Sequence, residues 1–157
     1  MTIEIRRATP GDVEELARLR WEFRVEHGTQ VTMSFETFIE GFRAFARDVL
    51  AGDAWHAWVA EDDGRPVGCV WLQVVEKVPH PSRARGERPI VYVTNVYVAP
   101  ELRNGGLGRR LMDAAIAYAR ERQVDGVMLW PTERSIPFYE RLGFGENGWV
   151  WLDLSGD

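Results

Sequence analysis

A chain of 157 residues and 18.0 kDa has room for one domain, residues 1–157, and little besides. With 45% apolar and 27% charged residues its composition is that of an ordinary globular protein, which argues against a disordered or low-complexity chain. The formal net charge of −5 disfavours a nucleic-acid or anionic-lipid surface spread over the domain, although a local basic site is still open to it. Cys69 is the single cysteine, so neither an intramolecular disulfide nor a cysteine-based metal cluster can form. The first residues, MTIEIRRATP, hold no apolar signal core, and no run approaches the roughly 18 apolar residues of a membrane span. The expectation is a soluble protein of the reducing cytoplasm, without a membrane or nucleic-acid partner.

The elements follow one another without a linker. Ile3 and Ile5 alternate with polar neighbours as a first strand. Thr9-Pro10-Gly11-Asp12 reads as a helix start, with Thr9 as N-cap and Asp12 at the capping-box position, and Val13, Leu16, Leu19 and Phe23 carry an apolar stripe to about Glu26. A second helix begins near Ser34, with Phe35, Phe38, Phe42, Ala46 and Val49 on one face and Gly52 at its end. From Ala54 the period becomes that of strands, through Ala60 and again from Pro66 to about Val75, around a Glu61–Gly64 turn that makes the pair antiparallel. VPHPSRARGERP (78–89) is a polar loop, and IVYVTNVYV (90–98) is the most strand-like run, expected as a central strand. A helix follows with Leu107, Leu111, Ala114, Ala115 and Tyr118 on one side; then a short buried strand VMLW (127–130), a short helix opening at Ser135-Ile136-Pro137 and ending at Gly143, and a last strand WVWLDL (149–154) after the Asn147-Gly148 turn. The sum is an α+β fold, order β-α-α-β-β-β-α-β-α-β, with a mostly antiparallel sheet and one parallel βαβ unit late in the chain.

Arg103-Asn104-Gly105-Gly106-Leu107-Gly108 lies between that central strand and the following helix. Successive N–H groups of a glycine-rich turn, joined to the partial positive charge of a helix N-terminus, make a concave anion site suited to phosphate or pyrophosphate. Arg103, Arg109 and Arg110 raise the potential there despite the acidic total. A Walker A loop is excluded, because Gly108 is followed by Arg109-Arg110 and not by Lys and a hydroxyl residue. A dinucleotide fingerprint is disfavoured: Leu111 stands where its third glycine belongs, and too few residues follow Glu133 for further βαβ units.

VTNVYVAPELRNGGLGRRLMDAAIAYA (93–119) resembles the acyl-CoA-binding motif of the GNAT superfamily of N-acyltransferases, with Arg103, Gly106 and Gly108 at the motif positions. Phe138-Tyr139-Glu140-Arg141-Leu142-Gly143-Phe144 resembles the same family's later FYxxLGF segment, about 30 residues on, and the order of elements agrees over essentially the whole chain. The resemblance implies acetyl-CoA as cosubstrate, no metal, and transfer of its acetyl group to a primary amine. His27, His56 and His80 show no ligand spacing, in keeping with that. By the same resemblance the fourth and fifth strands splay, and the pantetheine arm pairs with the backbone of Val96, Tyr97 and Val98. Arg103, Asn104, Gly105, Gly106, Leu107, Gly108 and Arg109 match the pyrophosphate cradle, and Ser135 a small-residue position near the cofactor. Thr132 stands where many members carry Asn.

Tyr139 matches the general acid that protonates the leaving thiolate. A phenol of ordinary pKa near 10 faces a thiol near 8.5, so this transfer is uphill by about 2 kcal/mol. At the other end, an alkyl ammonium of pKa about 10.4 costs about 4.6 kcal/mol to deprotonate at pH 7. Many relatives place a Glu on the fourth strand for this, but residues 88–100 hold no acid. Water held by Thr94 or Asn95, or a glutamate of the first helix, Glu22 or Glu26, are the candidate routes. Attack is direct, and Cys69, mid-strand among apolar residues, reads as a small buried hydrophobe. Trp21, Phe42, Trp71 and Trp130 are candidates to line the acceptor pocket, and the arginines of 83–88 to meet an acidic acceptor or the cofactor phosphates. Expected partners are a small-molecule or peptide amine and a second copy in a homodimer. The competing function is a non-catalytic acyl-CoA-binding sensor of the same fold.

Overall fold

The structure, a computed structural model, describes residues 2–82 and 87–155. A five-stranded sheet runs in the order β1 (Ile3–Arg7), β2 (Trp55–Asp62), β3 (Arg65–Val75), β4 (Ile90–Val98), β5 (Gly126–Met128). The first four strands pair antiparallel and β4 pairs parallel with β5, as the sequence pattern predicts. Helices α1 (Val13–Glu26) and α2 (Phe35–Ala51) cover one face, while α3 (Leu107–Glu121) covers the other and α4 (Ile136–Arg141) packs beside it. Because both faces are buried, β2 and β3 read as nearly continuous apolar runs. On β3, Val70 and Leu72 meet Leu111, Met112 and Ala115 of α3, and the intervening Cys69 and Trp71 meet Leu16 and Leu19 of α1. Each such fully buried aliphatic side chain contributes roughly 1.5–3 kcal/mol.

The local signals hold at the helix starts. The Thr9 N–H donates to Asp12 Oδ2 at 2.7 Å across a single 3-10 turn, and the same carboxylate receives two bonds from Arg6 at 2.8 and 2.9 Å. Ser34 Oγ accepts from the Thr37 N–H at 3.2 Å and starts α2. The β2–β3 turn needs positive φ at Asp63 (49°) and Gly64 (81°), the residues that tolerate it best. Among the described residues no helix is long and apolar enough to cross a membrane.

Two expectations fail. β5 ends at Met128, two residues short of the anticipated VMLW strand. WVWLDL (149–154) forms no strand, and Trp149, Val150, Trp151, Leu152 and Leu154 are exposed. Alternation reports which faces of a strand would be buried, but a strand also needs a neighbour, and β5 offers only a three-residue edge. Trp151 instead sets its edge against Trp130, 5.3 Å between centroids.

A buried polar cluster ties β1, β2 and α3 together. His56 Nδ1 lies 2.6 Å from Arg7 Nη2, which can only donate, and His56 Nε2 lies 2.8 Å from the Asp53 carbonyl, which can only accept. The ring is therefore the neutral Nε2–H tautomer. Burial holds its pKa below the ordinary 6.5, with the Arg7 charge adding to this. The neutral ring's contribution is fully present above about pH 6.5 and is lost as pH falls toward the depressed folded value. Urea midpoints should accordingly drop as pH falls below about 6.5, more steeply in the wild type than in His56→Gln; parallel curves would contradict the assignment.

Candidate active site

β4 and β5 pair only from Ile90 to Tyr92, so the β5-facing edge of β4 from Val93 to Val98 has no strand partner. Two features open this gap. Leu129-Trp130-Pro131 leaves the sheet, and proline has no N–H to donate to a ladder. On β4 the register against β3 slips: Cys69 faces Tyr97 and Trp71 faces Thr94, two steps on β3 against three on β4. The extra residue is a bulge at Asn95, whose φ of 56° lies in the left-handed region that asparagine tolerates. The bulge reverses the alternation. Val91 and Val93 face α3, and past the bulge it is Val96 and Val98 that do so, with Tyr97 turned toward α1. Gly68 permits the close strand approach beside it, since a Cβ there would sit 2.9 Å from the Tyr97 carbonyl oxygen.

Asn95 is pinned on both sides. Its Oδ1 accepts from Arg20 Nη1 at 3.1 Å, and the Cys69 thiol donates to its carbonyl at 3.6 Å. Burial pushes the Cys69 thiol up to about 12, so it stays protonated, as a structural cysteine should.

The gap continues into a cleft of about 710 Å³, bounded by β4, α1, the Arg103-Asn104 turn and the 129–141 segment. At one end stands α3, whose cap Gly106 has φ 82° and supplies no side chain, leaving the first-turn N–H groups of Leu107, Gly108 and Arg109 without an intrahelical acceptor. Arg109 lies only 3.9 Å from Asp113 across the helix surface. Arg103 and Arg110 are not free cations. Arg103 Nε donates to the Val98 carbonyl at 2.9 Å and its two terminal nitrogens bind the Glu26 carboxylate, with the ring of Tyr97 5.4 Å away. Arg110 Nη2 donates to the Ile3 carbonyl at 2.7 Å. Arg103 thus staples the turn to β4 and α1.

Across the cleft, Tyr139 packs against Phe138 and Phe144 with its side chain partly open to the space. Burial raises its pKa to about 12. Ser135 and Thr132 also line the cleft; Ser135 Oγ donates to the Thr132 carbonyl at 2.8 Å and accepts from Thr132 Oγ1 at 2.9 Å, closing the turn before α4. Val96, Tyr97, Val98, Arg103, Asn104, Ser135 and Tyr139 all reach this one space, while Gly105 to Arg109 continue from Asn104 into α3.

Neither candidate glutamate, Glu22 or Glu26, stands free as a base. Glu22 is held by Arg18 at 2.8 Å and lies outside the cleft. Glu26 is in the cleft, but its bond to Arg103 holds the carboxyl below its ordinary range. Of the four aromatics proposed for the acceptor side only Trp130 lines the cleft; Trp21 packs on Phe35 and Phe38, and Phe42 on Trp71, as α1–α2–sheet core. Of the 83–88 arginine group, residues 83–86 lie outside the described residues. Sequence reasoning missed Arg20, Arg24, Arg134 and Arg141, which also line the cleft; their only signal is charge at positions facing it, visible once the fold is known. Among the described residues no group of three or more His, Cys, Asp or Glu is placed to hold a metal ion.

The family model of the Acetyltransferase (GNAT) family matches residues 13–144, and the chain belongs to that family. Among solved structures, a GCN5-related N-acetyltransferase from Ralstonia eutropha superposes with a TM-score of 0.81 at 30% identity, over 99% of this chain and 100% of that one. A predicted acetyltransferase from Clostridium acetobutylicum, solved with acetyl-CoA, shares the fold with a TM-score of 0.83 at 21% identity, over 98% and 97% of the two chains. Among curated proteins, a glucosamine 6-phosphate N-acetyltransferase from Trypanosoma brucei brucei is 33% identical over 94 residues, 60% of each chain. A mycothiol acetyltransferase from Propionibacterium freudenreichii is 33% identical over 140 residues, 85% of this chain and 40% of the relative. The alignments thus span between two fifths and three fifths of these curated relatives.

Proposed function

We propose that this chain transfers the acetyl group of acetyl-CoA to a primary amine by direct attack. The observation that carries the reading is the splay of β4 from β5 in a cleft whose Arg103-Asn104 wall leads into the uncapped N-terminus of α3: an unpaired strand edge suits an amide-bearing arm, and the first-turn N–H groups suit its pyrophosphate. Both supports are backbone. The residues that would hold acetyl-CoA are Val96, Tyr97 and Val98 along β4, Asn104 to Arg109 at the phosphates, with Arg103 bracing the turn and Ser135 shaping the opposite wall. The bound thioester supplies an activated acyl carbon.

The chain's own groups divide the remaining work. A β4 N–H near Val96 meets the oxyanion as the acceptor nitrogen bonds the acyl carbon. When the C–S bond breaks, Tyr139 Oη gives its proton to the thiolate. At a pKa of about 12 that transfer is uphill by about 5 kcal/mol against a thiol near 8.5, within the barrier of an ordinary enzyme, and the phenol stays fully protonated at neutral pH. With Glu22 and Glu26 engaged by arginines, the amine proton leaves to water through the open cleft. The log of kcat/KM for the acceptor is then expected to rise with unit slope to the acceptor's own amine pKa and level off, with no falling limb through pH 10. An inflection well below the amine pKa that disappears in Glu26→Gln would return the base role to that carboxylate.

A further inference from the structure

On the α1 side of the cleft, Arg20 and Arg24 have no ion-pair partner among the described residues. Arg20, half-buried on the cleft-facing side of α1, makes one hydrogen bond, to Asn95 Oδ1, and among the described residues has no carboxylate within ion-pair distance. Its neighbours explain why. Glu22 is turned outward to Arg18, Glu26 is taken by Arg103, and Arg24 on the next turn adds a second cation. From the opposite wall Arg134 and Arg141 face the same space, also without ion-pair partners among the described residues, while Glu26 is the single acid of the lining. Burial pulls the Arg20 pKa below the ordinary guanidinium value, and the charge of Arg24 does the same; the group nonetheless stays charged at neutral pH. A partly buried guanidinium without a counter-ion is costly to maintain and marks where an anion belongs.

The α3 N-terminus already accounts for the phosphates of acetyl-CoA, and Arg20 instead touches the β4 bulge, where the strand edge becomes free for the acyl end. We infer that the acceptor is an amine that also carries an oxyanion, a carboxylate or a phosphate, and that Arg20 binds this oxyanion through the guanidinium N–H groups that Asn95 leaves open. The inference rests on the acetyltransferase reading above. A planar guanidinium offers two parallel donors to such a group, and the paired geometry fixes orientation as well as affinity. Asn95 holds the guanidinium in place from behind. Polyamines and other purely cationic acceptors fall outside the range this cleft accepts, because each would bring a second positive charge against Arg20 and Arg24.

The test uses matched acceptors: each amino acid beside its carboxamide, and glucosamine 6-phosphate beside glucosamine. Thiol release from acetyl-CoA gives kcat/KM, and calorimetric binding to protein saturated with CoA gives the preference on acceptors that are not turned over. In the wild type the oxyanion member of at least one pair is expected to be preferred ten-fold or more, the carboxylate and phosphate arms telling which anion it is. Arg20→Gln should bring that ratio to within about three-fold of one by raising the acceptor KM, with Arg20→Lys keeping part of it. Equal or better use of the neutral members, binding of no member to CoA-loaded protein, or a rise in the acetyl-CoA KM in place of the acceptor KM in Arg20→Gln would each overturn the inference while leaving the acetyltransferase reading standing. Failure of the wild type to bind acetyl-CoA would overturn that reading itself.

Discussion

Tyr139→Phe is expected to lower turnover at least ten-fold while leaving acetyl-CoA affinity within about two-fold. The ring packs against Phe138 and Phe144, and its hydroxyl makes no side-chain hydrogen bond among the described residues, so phenylalanine preserves the packing and removes only the hydroxyl. The single cause of the raised pKa is burial, which means that the phenol is tuned by exclusion of water and not by a charged neighbour. Such an acid acts over the whole accessible pH range, and its loss should appear in kcat at every pH. The effect should also shrink with an acyl donor whose thiol has a low pKa, because a better leaving group needs less protonation. Unchanged turnover in Tyr139→Phe would reduce Tyr139 to a packing residue of the cleft wall.

Gly106→Val is the second large effect, and it falls on binding. Gly106 caps α3 at φ 82°, where a β-branched residue costs on the order of 1–3 kcal/mol, and the chain can relieve that strain only by re-aiming the first turn of the helix. The N–H groups of Leu107, Gly108 and Arg109 then no longer converge. Acetyl-CoA dissociation constants measured by calorimetry should rise ten-fold or more. Gly105→Ala is the matched control, because its φ is not positive and an added Cβ would meet the Leu102 carbonyl at an ordinary 3.7 Å. Equal losses in the two variants would mean that crowding of the loop, and not the left-handed cap, sets the affinity.

Much of the fold was legible because its signals are local. Thr9-x-x-Asp12, Ser34 and Asp63-Gly64 act within a few residues: the first opens a 3-10 turn at Pro10–Asp12 from which α1 continues at Val13, the second starts α2, and the third makes the β2–β3 turn. The glycine turn was legible for the same reason. What the sequence concealed is set by distant partners. Arg103 reads as a phosphate cation until Glu26, on a helix 77 positions away, is seen to claim it. The bulge at Asn95 has no composition signal, since asparagine in a strand is also compatible with an exposed edge, and only the β3 register reveals the extra residue. WVWLDL failed in the other direction: its alternation was real, but pattern alone supplies no neighbouring strand. The arginines of the cleft wall were invisible individually, because in a chain whose basic residues are nearly all arginine no single one stands out.

The central claim, an acetyl-CoA-dependent transferase acting on amines, is tested most directly by following free thiol when the protein is mixed with acetyl-CoA and an amine panel. The account predicts thiol release above the amine-free blank for at least one acceptor, matched by an acetylated amine in equal amount and reduced ten-fold or more in Tyr139→Phe. Tight binding of acetyl-CoA with no acceptor-dependent thiol release on any amine, peptides included, would contradict it and leave an acyl-CoA sensor in its place.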